Sequence, residues 1–288
     1  MKLISINEPG THSNSIIQFL KERAFTESGQ HITFEESPLQ VSQNLSDEDS
    51  QALLLTFRKA FSGQEPALFL SSLPGIEEYT ILAFAERHTT GGILIISASI
   101  GPRIERVDRV EGTILSHLIE HHGIHSFRFI LAGIRGHFKD DSEFLSQKAT
   151  AVFPMKTISE EGLPDMCHSI MEACQAFPAI FAIVNLNAVD PAFAPSVHDL
   201  HPGGLTSREM LHLTQKLMLL PGIKGVHVLG LNPLHDINDV TARLAAAICG
   251  EIIGSLGGAR RCQVHMDSTA TRLQGARNAE ATTDLETA

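Results

Sequence analysis

The chain has 288 residues, 43% of them apolar, and a formal charge of −11 from 22 Lys and Arg against 33 Asp and Glu. That length and apolar content fill the core of one large α/β domain or two small ones and exclude a fibrous or disordered chain. The negative balance argues against nucleic acid and against anionic membrane surfaces, since both are held by many cations that displace counterions.

Taken in chain order, the N-terminus (Met1 to Glu8) lacks the long apolar stretch and small-residue cleavage site of a secretory signal, and no run of 18 apolar residues follows. The expected location is cytoplasmic, with no membrane span. Residues 36–50 read as a surface loop ending in a helix N-cap at or near Ser46. From there apolar runs rich in Ile, Leu, Val and Phe predict strands at Ala67–Ser71, Gly92–Ser97, Phe127–Gly133, Ala179–Asn187 and Gly225–Leu231. Runs that do not alternate suit strands buried on both faces. Helical spacing fills the intervals at Ile76–Arg87, Thr113–His122, Asp141–Ala149, Pro164–Ala176, Ser207–Leu219 and Asn238–Leu256. This alternation predicts a three-layer α/β/α fold around a doubly wound, mainly parallel sheet, with ligand sites beyond the carboxyl ends of the strands. One domain is expected over residues 1–258, closed by Gly257-Gly258, with a flexible polar tail at 259–288.

Two segments carry the most specific signal. Asn185-Leu186-Asn187-Ala188-Val189-Asp190-Pro191 runs on through Phe193-Ala194-Pro195 to Pro202-Gly203-Gly204-Leu205-Thr206-Ser207-Arg208-Glu209. This resembles the signature of the arginase and agmatinase (ureohydrolase) family, D-x-D-x-x-D-P followed by P-G-G-L-T-x-R-E. The resemblance extends from about Ala67 to Ala247. It implies an arginase-like fold, a pair of manganese ions that activate a water for attack on a guanidinium carbon, and a trimeric or hexameric assembly.

The same resemblance implies that the metal ligands are lost. The family's G-G-D-H-S segment corresponds to Ser71-Ser72-Leu73-Pro74-Gly75, which puts Pro74 at the His position. Its D-A-H-x-D segment corresponds to Ser97-Ala98-Ser99-Ile100-Gly101, and its next pair of Asp to Asn185 and Asn187. Two divalent cations need anionic oxygens, which Pro74, Ser97, Ser99, Gly101, Asn185 and Asn187 do not supply. Glu111 stands where agmatinases have a His, and Gly230 where the family has the acid that engages the guanidinium. Asp190-Pro191, Gly133-Ile134-Arg135 and the Pro- and Gly-rich segments remain as loop supports.

Other patterns are weaker. His117-Leu118-Ile119-Glu120-His121 matches H-x-x-E-H, a zinc pattern with two His on one helix face, but His122 and His125 nearby define no third ligand. An ordinary half-buried helix is the expected reading. His198, Asp199 and His201 lie in the loop after the Asp190-Pro191 turn and, with Glu111, are candidates for a residual ligand pocket. Of the four cysteines, Cys167 and Cys174 fall on one helix face, whereas His168 points about 100° away from Cys167, so core packing is expected rather than Cys-His catalysis.

The expected protein is therefore a pseudoenzyme without manganese or another cofactor and with no catalytic residues, acting as a binding, regulatory or scaffolding subunit. Its partners would be copies of itself, an active relative, or a small molecule. The competing expectation is a hydrolase of guanidino or amidino C–N bonds that works through a relocated or metal-free site.

Overall fold

A computed structural model describes residues 1–7, 14–41, 45–100, 113–135 and 151–256. Eight strands form one sheet in the order β2-β1-β3-β8-β7-β4-β5-β6. In chain order they are β1 Lys2–Asn7, β2 Glu35–Gln40, β3 Ala67–Ser71, β4 Gly92–Ile96, β5 Phe129–Ile134, β6 Ala151–Pro154, β7 Ile180–Asn185 and β8 Ile223–Leu229. Every pairing is parallel. The helices are α1 Asn14–Glu22, α2 Asp47–Phe61, α3 Ile76–Arg87, α4 Ile114–Glu120, α5 Met155–Glu161, α6 Leu163–Gln175 and α7 Ser207–Leu217. A further helix, α8, runs through residues 240–256.

The central strands are apolar throughout because helices cover both faces of the sheet. Leu68, Leu94, Ile130, Ala182 and Val226 point to one side, where they pack with α1, α6, α7 and α8 through Leu20, Ile170, Leu213 and Ile248. Phe69, Ile93, Phe129, Phe181 and Leu229 point to the other, against α2, α3 and α4 through Phe57, Phe84 and Leu118. Alternating residues thus feed two cores, the three-layer arrangement expected of a parallel sheet. On the second face Phe61 meets Phe69 and Phe181 at centroid distances of 5.3 Å, both tilted or edge-on, as aromatic quadrupoles favour.

Several elements depart from the sequence reading. Part of the loop expected at residues 36–50 is strand β2, paired along β1 from Lys2–Glu35 to Asn7–Gln40. Its pattern is largely polar because it is an edge strand with little apolar burial, and Pro38 is tolerated there. β6, at the opposite edge, was hidden for the same reason. The helix expected at Pro164–Ala176 is α6, preceded by a short α5 and separated from it by Gly162 at φ 92°.

Ser46 does cap α2, in a capping box with Asp49. The helix expected from Asn238 starts two residues later, because Asn238 and Asp239 take left-handed φ of 56° and 55°. Asp236 then accepts from the backbone N–H groups of Thr241 and Ala242 and sets the first turn of α8. The helix expected at Asp141–Ala149, the tail at 259–288, Gly101 and Glu111 lie outside the described residues.

The topology decides where a site can form. β7 and β8 are inserted between β3 and β4, so the chain winds away from this point in both directions. The carboxyl ends of β3, β8, β7 and β4 therefore lie side by side at the middle of one edge, the place where open α/β sheets leave a crevice.

Candidate functional site at the strand carboxyl ends

β7 ends at Asn185 and turns at once into a single 3-10 turn, Leu186–Ala188. The Asn185 side-chain oxygen accepts from the Asn187 N–H at 3.0 Å and so caps this turn. Asn187 is buried, and its Oδ1 accepts from Ser97 Oγ and from the Ala98 N–H, both at 3.0 Å. Ser97 Oγ in turn accepts from the Ser99 N–H at 3.3 Å. Neutral oxygens thus tie the end of β7 to the end of β4. Gly230, after β8, has φ of 104°, and a Cβ there would collide with Asn185 Oδ1, so the glycine is what leaves room for the asparagine. Pro74 is exposed in the turn before α3.

The loops beside this edge hang on one arginine. Arg135 Nε donates to Pro202 O at 3.1 Å, Nη1 to Ala188 O at 3.1 Å, and Nη2 to Asn187 O at 2.8 Å and His201 O at 2.6 Å. Asp190 accepts from the N–H groups of Ala192, Gly203 and Gly204, which hold its carboxyl below the usual range. Gly204 must be glycine here, because a Cβ would meet Arg135 Nη2 and lie 2.6 Å from Ala188 O. These residues are supports, as their loop-forming types suggested in the sequence.

The loop candidates separate. His198 Nε2 donates to Ser72 O at 2.8 Å, and its own N–H bonds Gly230 O, so this ring ties the loop to the end of β3. His201 Nε2 donates to Asp199 Oδ2 at 2.6 Å, and Ser99 Oγ reaches the same oxygen at 3.5 Å. Ser99, Asp199 and His201 therefore meet, while His198 does not join them.

A cleft with about 30 Å³ of enclosed space, or about 370 Å³ when the open solvent at its mouth is counted, lies under this edge on the α3–α4 side. Ile81, Ile95, Ile114, Leu115, Leu118 and Leu229 make most of its wall, with Glu77, Ser97, Ser99 and Asn185 as the polar groups. Glu77 is buried, and its Oε2 has no hydrogen-bond partner among the described residues. Burial pushes its carboxyl up to about 7 against the pull of its own and the Gly75 backbone N–H groups, and the neighbouring Glu78 raises it further.

The sequence reading missed Glu77, since an acidic pair at a helix start looks like a solvated dipole-facing turn. The available signal was spacing. Glu77, Thr80, Ile81 and Phe84 fall at i, i+3, i+4 and i+7 and are all buried, so the acid sits on the packed face of α3.

Two further groups lie outside this edge. Cys167 and Cys174 are buried in the core with thiols pushed up to about 11 and about 12 by burial, and His168 is exposed, as the helical geometry required. Glu78, His117 and His122, from α3, α4 and the turn after α4, bring three ligand atoms within 4.8 Å of one another.

Comparison with known proteins agrees with this architecture. Residues 102–254 match the model of the arginase family. Over 155 residues the chain is 32% identical to proclavaminate amidinohydrolase from Streptomyces clavuligerus, a match covering 53% of this chain and 49% of that protein. It is 25% identical over 185 residues to formimidoylglutamase from Bacillus subtilis (strain 168), covering 63% and 58%. The sequence match thus spans about half the length of these curated relatives. Crystal structures resemble it over more of the chain. Formimidoylglutamase from Bacillus subtilis superimposes with a TM-score of 0.76 at 21% identity over 89% of this chain and 87% of that one. The structure of proclavaminate amidino hydrolase from Streptomyces clavuligerus gives 0.74 at 21% over 88% and 91%.

Proposed function

The chain belongs to the arginase family, and from that premise we propose that it is a non-catalytic member, a pseudoenzyme whose work is to bind a small molecule in the cavity beside Glu77. The observation that carries this reading is the placement of Asn187 Oδ1. It accepts from Ser97 Oγ and the Ala98 N–H, both at 3.0 Å, and it offers no charge. Asn185 Oδ1 is likewise directed at a backbone N–H.

Pro74, Ser97, Ser99, Asn185 and Asn187 supply neither carboxylate nor imidazole, so this donor set does not fit a dinuclear manganese centre. Replacing carboxylates by neutral groups removes the mutual repulsion they would suffer without metal. The scaffold can then fold with its crevice intact.

The cavity favours a ligand with an apolar body and one hydrogen-bond donor or cationic end. The aliphatic wall takes the body, and Glu77 Oε2, which has no partner among the described residues, takes the donor. Such a ligand would make the protein a sensor or regulatory subunit, assembled with copies of itself or with a catalytically competent relative. Among the described residues no helix is long and apolar enough to cross a membrane.

The test is manganese content after incubation and gel filtration, measured with urea release from arginine and agmatine and with ligand-induced changes in Tm. The expected result is neither retained manganese nor urea, with a Tm rise from small amines or amidines that Glu77→Gln abolishes. Near-stoichiometric manganese accompanied by urea release would sink the reading.

A second reading, hydrolysis of a guanidino or amidino C–N bond without the family's metal centre, is favoured by one observation, the Asp199–His201 pair beside Ser99. Both His201 and Ser99 bond the same Asp199 oxygen, which puts a carboxylate and an imidazole, two groups able to act as a general base, at one spot. Urea or ammonia release that disappears in Asp199→Asn would select it.

A further inference from the structure

Independently of what the strand edge does, we propose that Glu78, His117 and His122 form a zinc-class metal site that clamps α4 to α3. Glu78 lies in the first turn of α3 and is 5% exposed. His117 Nδ1 sits 2.8 Å from Glu78 Oε1, and His122 Nε2 lies 3.8 Å from the same oxygen. A tetrahedral zinc with bonds of 2.0–2.1 Å to nitrogen and oxygen holds its ligand atoms about 3.3 Å apart. The two observed separations bracket that value, so small side-chain rotations close the site.

Two imidazoles and one carboxylate select a borderline transition ion over manganese, magnesium or calcium, which prefer oxygen. Three protein ligands leave a fourth position for water.

Approach to Glu78 is what makes His122 and not His121 complete the set. α4 ends at Glu120 with His121 as its C-cap, and Gly123 follows at φ 65°. Both rings pack on His117, His121 at 4.8 Å and His122 at 5.0 Å between centroids, but it is His122 whose Nε2 reaches Glu78 Oε1, at 3.8 Å. The pattern H-x-x-E-H in the sequence thus marked the right helix and the wrong second ligand.

Glu86, held by Arg58 at 2.6 Å, adds negative charge near His122. The consequence is mechanical. α3 supplies Glu77 and Ile81 to the cavity wall and α4 supplies Ile114, Leu115 and Leu118, so a metal joining Glu78 to His117 and His122 fixes the two walls against each other.

The test uses the untagged full-length chain, stripped with a chelator and titrated with cobalt(II) and zinc. One equivalent of cobalt is expected, with the visible absorption of a tetrahedral site, displaced by zinc, together with a zinc-dependent rise in Tm. His117→Gln/His122→Gln should lose both signals, whereas His121→Gln and His125→Gln keep them. Far-UV circular dichroism in chelator checks that the double variant is folded. If it is not, His122→Gln alone, at an exposed side chain, carries the comparison. Absence of bound zinc in the parent protein, unchanged binding in His122→Gln, or loss of binding in His121→Gln would overturn the proposal.

Discussion

At the carboxyl ends of β4 and β7, Ser97, Asn185 and Asn187 bond to one another and to backbone N–H groups, whereas on the α3–α4 face Glu78, His117 and His122 hold ionisable atoms together. The first region occupies the place where the topology puts a crevice, yet its polar atoms serve mainly to fix the loops. The second lies on a helical face and has the ligand types that a divalent ion needs. The contrast teaches that position in a fold and chemical capacity can part company. A crevice persists because the strand order creates it, while its chemistry depends on a few side chains that can be exchanged without disturbing the sheet.

The contrast is best broken at Arg135. If the strand edge is chiefly a structural network, Arg135→Met should cost about 3–5 kcal/mol, because it leaves several loop carbonyls without a donor. Urea denaturation would measure it, and a loss below 1 kcal/mol would mean that the loops stand without this hub.

Histidines sharpen the comparison in a different way. His227 in β8 is fully buried, with Nδ1 3.1 Å from Thr80 Oγ1 and Nε2 unpartnered among the described residues. Burial pushes it from 6.5 down to about 3, so the folded protein keeps it neutral while the unfolded chain protonates it below 6.5. Its contribution to stability is therefore complete above pH 6.5 and is lost as pH falls toward 3, by about 1.4 kcal/mol per unit from this group. Between pH 6.5 and 4.5, His227→Leu should flatten the pH dependence of the denaturation midpoint by roughly 2–3 kcal/mol relative to the parent. An unchanged slope would refute the assignment.

The smallest expected effect is at Asn187. Asn187→Ala removes the acceptor for Ser97 Oγ and the Ala98 N–H and should cost about 2 kcal/mol, detectable as a lower Tm. It should leave zinc binding on the α3–α4 face as it was. A variant that lost zinc as well would show that the two regions are coupled.

Much of the fold was legible in the sequence, and the exceptions share a cause. β3, β4, β5, β7 and β8 announce themselves as apolar runs because helices cover them on both faces. β2 and β6 do not, since an edge strand pairs through its backbone and needs no apolar side chains to do so. The same holds for the site. Asn185, Asn187, Ser97 and Ser99 could be placed beside one another from their motifs, but that Asn187 Oδ1 turns to the end of β4 depends on strand pairing between β4 and β7. His198 and Asp199 are adjacent in sequence and yet bond in different directions, one to Ser72 and the other to His201.

By itself the sequence determined the family resemblance, the α/β alternation, the residue types at Pro74, Ser97, Ser99, Gly101, Asn185 and Asn187, and the burial of Cys167 and Cys174. Each of these follows from residue type and local spacing, the information a linear chain carries. Tertiary structure alone decided that Glu77 faces a cavity and that Glu78 meets His117 and His122. The acid and the histidines are separated by 39 residues between Glu78 and His117, and only the packing of α4 on α3 brings their atoms to within hydrogen-bond distance. Side-chain chemistry is written in the sequence, but convergence of distant groups is a property of how the helices pack.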